Sequence, residues 1–268
     1  RLAASRRGRW GARSRPIAYN PPTLLPAVVL VRPTEQGNIG SVARAMANMG
    51  LDELVVVDPA APIGDTARAF AVTAAPLLDR VRRVDSVAAA LAPYSRLVGT
   101  TSTRARVLER PLLTPRELAA VLAADPPGTR TALVFGPESS GLLREELALC
   151  DPLVSIPCAP KLPTLNLSQA LLIVAYELHL ARIEGCSPGV EGHQRTAMAT
   201  AAEVDGLFEQ AAAALRAIGF ARDTTFDRVR LDLRHLLARS APTGREVALL
   251  RGICRRVVGR FPEAPAEE

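Results

Sequence analysis

Aromatic residues make up only 4% of this 268-residue chain, and lysine occurs once, at Lys161. A core must therefore be assembled from leucine, valine and alanine, and basic charge rests almost wholly on arginine. No apolar stretch approaches the ~20 residues needed to cross a bilayer. The most apolar run, 170–175, is short and bordered by Gln169 and Glu177, which excludes a membrane-spanning helix. Cysteine is scarce as well. Cys150, Cys158, Cys186 and Cys254 form no CxxC pair and have no histidine at zinc-finger spacing, so they read as buried thiols of a reducing compartment. Arg6 and Arg7 resemble the start of a twin-arginine export signal, but residues 8–20 supply no apolar segment behind them. The expectation is a cytoplasmic protein. With 48% hydrophobic and 22% charged residues, the composition is that of a folded globular chain.

The formal charge of +6 is unevenly spread. Residues 1–16 hold six arginines and no acid, and residues 216–260 hold eleven arginines against Asp223, Asp227, Asp232 and Glu246. The middle is net acidic. Two basic ends around such a middle suit a polyanionic partner, nucleic acid above all, although solvated surface faces would give the same count.

Residues 1–23 are rich in Arg, Gly, Ser and Pro and read as a basic disordered arm. From 24 to 184, apolar runs alternate with helical patterns. Strands are expected at 27–31, 53–57, 81–84, 97–99, 131–135 and 153–156. Helices are expected at 41–49, 86–91, 115–124, 142–149 and 167–184. This alternation predicts an α/β fold with a parallel sheet covered on both faces. Residues 185–200 read as a linker. The span 201–262 reads as a small all-helical domain with helices near 204–218, 226–237 and 245–258.

Three connections carry the residues that could do chemistry. The first contains Asn38, Gly40 and Arg44 in the pattern Asn-x-Gly-x-x-x-Arg, between a buried strand and a helix. Backbone amides meet ligands at such places, but the spacing matches neither a dinucleotide fingerprint nor a phosphate-binding loop. The second is Phe135-Gly136-Pro137-Glu138-x-x-Gly141-Leu142, in which Glu138 either caps the next helix or holds a ligand. The third begins at Ile156-Pro157 and ends Pro163-Thr164-Leu165-Asn166-Leu167-Ser168. There, Asn166 stands where a helix N-cap would.

Taken together and in this order, the three resemble the motifs of the SpoU/TrmH branch of the SPOUT RNA methyltransferases, over about residues 24 to 184. The tail, with Leu207-Phe208-Glu209, Ile218-Gly219-Phe220, Arg245-Glu246-Val247 and Leu250-Arg251-Gly252, resembles the C-terminal domain of the TrmJ-like subgroup. The resemblance implies a parallel-sheet domain tied in a deep trefoil knot, which general rules of topology would not suggest, and a homodimer. It implies S-adenosyl-L-methionine as cofactor, held by Thr100, Thr101, Ser102, Gly136, Ile156, Pro163, Thr164 and Leu165. No metal is implied.

The implied reaction is methyl transfer to a ribose 2′-hydroxyl of RNA. The subgroup points to tRNA at nucleotide 32 of the anticodon loop. Arg44, Asn38, Glu138, Asn166 and Ser168 are the implied catalytic residues. In this reading Arg44 clamps the RNA, Asn38 orients Arg44 or the ribose, Glu138 fixes the guanidinium or the knot, and Asn166 and Ser168 line the methyl-transfer pocket. Thr164 departs from the serine common at that place but keeps the hydroxyl. An rRNA methyltransferase and a non-catalytic RNA-binding protein of the same fold are the alternatives. A nucleotide-binding oxidoreductase would need a GxGxxG after the first strand, and none is there. His179 and His193 read as structural or solvated rather than as bases.

Overall fold

Five consecutive aliphatic residues, Ala27–Val31, form β1, and all of them are buried. A strand without polar alternation has to be covered on both faces, and this one lies inside a seven-stranded sheet. The computed structural model describes residues 25–60, 62–102, 110–183, 197–220, 229, 232–234, 236–237 and 240–261. The expected arm over 1–23 and the larger part of the expected linker lie outside them.

The remaining strands are β2 (Leu54–Val57), β3 (Arg82–Val84), β4 (Arg96–Thr100), β5 (Leu112–Leu113), β6 (Thr131–Phe135) and β7 (Leu153–Val154). Their order is β3-β2-β1-β6-β4-β7-β5, and every neighbouring pair is parallel. Val29 sits opposite Val55 on one side and Val134 on the other. Alternate strand residues feed two cores. Val28, Leu30, Val56, Leu133 and Phe135 pack beneath α1 (Gln36–Asn48), α2 (Asp65–Ala71) and α7 (Leu167–Ile183). Val29, Val31, Val55 and Val134 pack with Leu91 of α4 (Val87–Leu91) and Leu147 of α6 (Arg144–Ala148). The helices α3 (Ala75–Asp79) and α5 (Pro115–Ala123) join the first face.

Two short helices, α2 and α3, and the two-residue strand β5 have no counterpart among the expected elements. Gly40 shows what α2 does. A Cβ there would lie 2.0 Å from the Ala67 carbonyl oxygen, so this glycine serves helix–helix approach. The 153–156 strand stops at Val154, and the expected 142–149 helix is confined to α6. Of the cysteines, Cys150 is buried as expected, and burial pushes its thiol up to about 12. Cys158 and Cys254 are only partly buried, which corrects the reading of all four as buried thiols. Cys186 lies outside the described residues.

The C-terminal helices α8 (Ala201–Ala217) and α9 (Gly244–Arg260) each begin with a reciprocal capping box, Thr200 with Glu203 and Thr243 with Glu246. That box starts α8 three residues before the apolar periodicity does. Between them, residues 232–234 and 236–237 are helical. The helical part is tied to the sheet domain by backbone bonds from Ala201 to the Tyr94 carbonyl (2.8 Å) and from Ala202 to the Ala92 carbonyl (3.2 Å). Tyr94 is itself anchored, donating to Glu53 at 2.6 Å beneath the Arg130 guanidinium. Among the described residues, no helix is long and apolar enough to cross a membrane.

Candidate functional site

Because all strands run the same way, their C-terminal ends share one edge of the sheet, and the connections after β1, β4, β6 and β7 converge there. Between them is a cavity of about 410 Å³. Its walls include Thr100, Thr101 and Ser102 after β4, Gly136 after β6, and Ile156, Pro163, Thr164 and Leu165 before α7. Leu142, Leu147, Val154 and Val174 supply an apolar side. Among the described residues, Glu138 is the only carboxylate on this lining, and no lysine or arginine is on it.

The chain folds locally to make these walls out of backbone. Thr100 Oγ1 donates to the Val134 carbonyl at 2.9 Å, and Thr101 N–H to the Val154 carbonyl at 3.0 Å. At Gly136 the loop closes on itself. A Cβ there would lie 2.2 Å from both Gly141 C and Leu142 N, so no larger residue fits without opening the wall. The loop turns through Gly141 at φ +71°, a left-handed conformation that glycine adopts without strain.

At the rim stands a directed chain of hydrogen bonds. The Asn166 side-chain oxygen accepts from Ser168 N–H (2.9 Å) and Ser168 Oγ (2.8 Å), the first bond being an N-cap of α7. Asn166 Nδ2 donates to Asn38 Oδ1 at 2.8 Å, and Asn38 Nδ2 to Glu138 Oε1 at 2.7 Å. Glu138 Oε2 accepts from Thr34 N–H (3.1 Å) and Thr34 Oγ1 (2.8 Å). Partial burial raises the Glu138 pKa, but bonds from Asn38, its own backbone and Thr34 outweigh it and hold the carboxyl below its ordinary value.

Four of the five residues singled out from the motifs thus meet in one network. Arg44 does not join it. It is exposed on α1, six residues beyond Asn38, and its side chain makes no hydrogen bond or ion pair with the described residues. The two Glu138 oxygens are occupied by Asn38 and Thr34 instead of its guanidinium, and Asn38 is aligned by Asn166 and Glu138. His179, on α7, has its Nδ1 3.4 Å from Arg182, away from this rim. His193 lies outside the described residues.

Sequence reasoning missed Thr34, which follows β1 directly and lacks any motif of its own. It also missed a salt bridge behind the rim. Arg32, at φ 48°, points both guanidinium nitrogens at Glu146, at 2.6 and 3.0 Å. A left-handed arginine costs on the order of 1–3 kcal/mol, which the bidentate pair helps to offset. Its hydrogen bond to Glu146 raises the Arg32 pKa in spite of burial.

Residues 26–176 match the model of the SpoU rRNA Methylase family. The chain belongs to that family. Residues 202–266 match the C-terminal domain of the tRNA methyltransferase TrmJ. The tRNA (cytidine/uridine-2'-O-)-methyltransferase TrmJ of Pectobacterium atrosepticum is 36% identical over 230 residues, covering 86% of this chain and 95% of that protein. TrmJ of Escherichia coli K12 is 37% identical over 227 residues, 84% and 92% of the two chains. Among solved structures, TrmJ from Z. mobilis ZM4 superposes with a TM-score of 0.75 at 29% identity, covering 87% of this chain and 99% of that one. A probable methylase family protein from Haemophilus influenzae does so at 0.57 with 31% identity, covering 87% and 96%. The chain thus stands with the TrmJ group of the SpoU methylases along most of its length.

Proposed function

We propose that this protein is an S-adenosyl-L-methionine-dependent ribose 2′-O-methyltransferase acting on tRNA, with nucleotide 32 of the anticodon loop as its target. One observation carries the reading. A cavity formed by the connections after β4, β6 and β7 opens beside the network of Asn38, Glu138, Asn166 and Ser168, in a chain related to TrmJ along most of its length. The cofactor fits the residues present. Its cationic sulfonium suits a cavity that carries the Glu138 carboxylate among its described lining residues. The hydroxyls of Thr100, Thr101 and Ser102 and the backbone around Gly136 and 163–165 would hold its polar groups.

When bound, S-adenosylmethionine supplies an electrophilic methyl group. The chain's own residues bring the nucleophile to it, and alignment alone can account for much of the acceleration. Arg44, exposed on α1 beyond Asn38, pairs with RNA phosphate and stabilises the forming alkoxide. A guanidinium is held protonated and is no base at neutral pH. Glu138, kept ionised by its donors, is a poor one too. Neither side chain is a strong base for the 2′-hydroxyl proton, which passes to solvent or to an RNA phosphate oxygen as the new C–O bond forms and the C–S bond breaks. Asn38 and Asn166, fixed by the hydrogen bonds around them, line the approach of the ribose, and Ser168 holds Asn166.

The trefoil knot and the homodimer belong to the same proposal. For the dimer, the support is α7, which leaves Leu172, Ile173 and Tyr176 exposed at 38%, 37% and 47%. That is an apolar face suited to a second copy, and light scattering at micromolar concentration should show two chains. Residues 24–184 would then bind cofactor and carry the chemistry, and residues 201–262 would dock the RNA. A tRNA substrate places the enzyme in the cytoplasm. The reading is tested with labelled S-adenosylmethionine offered tRNA or rRNA. Label in tRNA supports it, and label in rRNA alone replaces the substrate. Tight RNA binding without transfer leaves a binding protein of this fold.

A further inference from the structure

The connection between β1 and α1 grips the loop after β6 at both ends. At the start of that loop, Thr34 and Asn38 hold Glu138 through three hydrogen bonds of 2.7–3.1 Å. At its end, Arg32 holds Glu146 through the bidentate pair of 2.6 and 3.0 Å. The same Glu146 carboxylate accepts the Leu143 N–H at 2.7 Å, closing the first turn of α6. Glu146 is 5% exposed, although a glutamate in a five-residue helix has no need of burial. Of the residues between these two grips, 139–142 line the cavity, and so does Leu147 just beyond the second.

We propose that Arg32 and Glu146 are positioning residues for this cavity. Their ion pair keeps the loop over 136–143 closed over the space assigned to S-adenosylmethionine, and so links the cofactor wall to the β1–α1 connection that leads to Asn38 and Arg44. The inference rests on the reading of the cavity as the cofactor site. A two-pronged pair on a buried carboxylate defines distance and angle, as a site that must be held to fractions of an ångström requires. The left-handed turn at Arg32 aims the guanidinium at α6.

The test separates positioning from simple stability. Calorimetric affinity for S-adenosylmethionine, kcat, KM for tRNA and thermal melting are measured for the wild type, Arg32→Met, Arg32→Met/Glu146→Gln and Arg32→Lys. Arg32→Met alone strands a buried carboxylate and lowers the melting temperature. The double variant removes that charge, keeps an acceptor for Leu143, and recovers the melting temperature. If the pair positions the loop, the double variant still loses about tenfold to 10²-fold in cofactor affinity and kcat, the scale set by small misplacements in a site. KM for tRNA stays unchanged, and Arg32→Lys, with one point charge in place of a fork, falls between. Wild-type cofactor affinity and kcat in the double variant would overturn the inference, leaving the pair a tie of the fold. A wild type that binds no S-adenosylmethionine would instead overturn the functional reading, and this inference with it.

Discussion

Asn166 Nδ2 donates to Asn38 Oδ1 at 2.8 Å, joining residues 128 positions apart. The bond fixes both amides. With the Asn166 oxygen occupied by Ser168, its nitrogen must face Asn38, and Asn38 must then turn its own nitrogen to Glu138. Start of α7, first turn of α1 and loop after β6 are thereby set against one another.

Asn38→Asp tests that polarity. It replaces a donor, 2.7 Å from Glu138 Oε1, with a second carboxylate. Like charges so close raise the pKa of the pair. The variant should lose on the order of 1 kcal/mol of stability at neutral pH, measured by urea melts, and the loss should shrink in acid as one proton is shared. Unchanged melts would mean that the network does not direct the fold at the rim.

Arg44→Ala should lower methyl transfer by ~10²–10³, the effect of removing one electrostatic stabiliser, with S-adenosylmethionine affinity unchanged by calorimetry. Arg44 lies outside the cavity lining, so a large loss of cofactor binding would place it elsewhere in the mechanism.

The depressed Glu138 pKa makes a signed prediction. A carboxyl whose folded value lies below its ordinary 4.5 contributes stability above that value and loses it as pH falls through the depressed one. Wild type should therefore exceed Glu138→Gln in stability at pH 6–8 by an amount that is constant there. The difference should vanish only well below pH 4.5. Melting curves across pH read it directly. A difference that grows in acid would reverse the assignment.

The arginines of the helical part divide into two kinds. Arg234 pairs with Asp205 at 2.7 Å and lies 4.6 Å from the Phe208 ring centre, and Arg251 donates to Gln210 at 3.3 Å. Arg255, Arg256 and Arg260 are exposed on α9. Neutralising Arg255 and Arg256 should lower the salt dependence of tRNA binding by roughly 0.7–0.9 log units per log unit of salt for each phosphate that is no longer neutralised. Arg234→Ala should chiefly lower the melting temperature. Equal effects on binding would remove the distinction.

The centre of the sheet was legible because β1 and β2 are unbroken aliphatic runs, and 131–135 came out to the residue. The short elements were not. β5 has two residues, and α2 and α3 are too brief for a 3.6-residue period to show. The cavity residues were found through their motifs, since Gly136 and Thr100 announce nothing individually. Arg32 and Glu146 gave no signal, because a salt bridge across 114 positions leaves no local pattern. Nothing in the sequence sets Arg234 apart from the other arginines of 216–260, and its pairing with Asp205 shows only in the fold.

Mass spectrometry of tRNA treated with the purified protein and S-adenosylmethionine tests the central claim most directly. The account predicts one new 2′-O-methyl ribose, at nucleotide 32 of the anticodon loop, absent when Arg44→Ala replaces the wild type. A methyl group on a base, or cofactor bound with no methyl appearing in any tRNA, would contradict it.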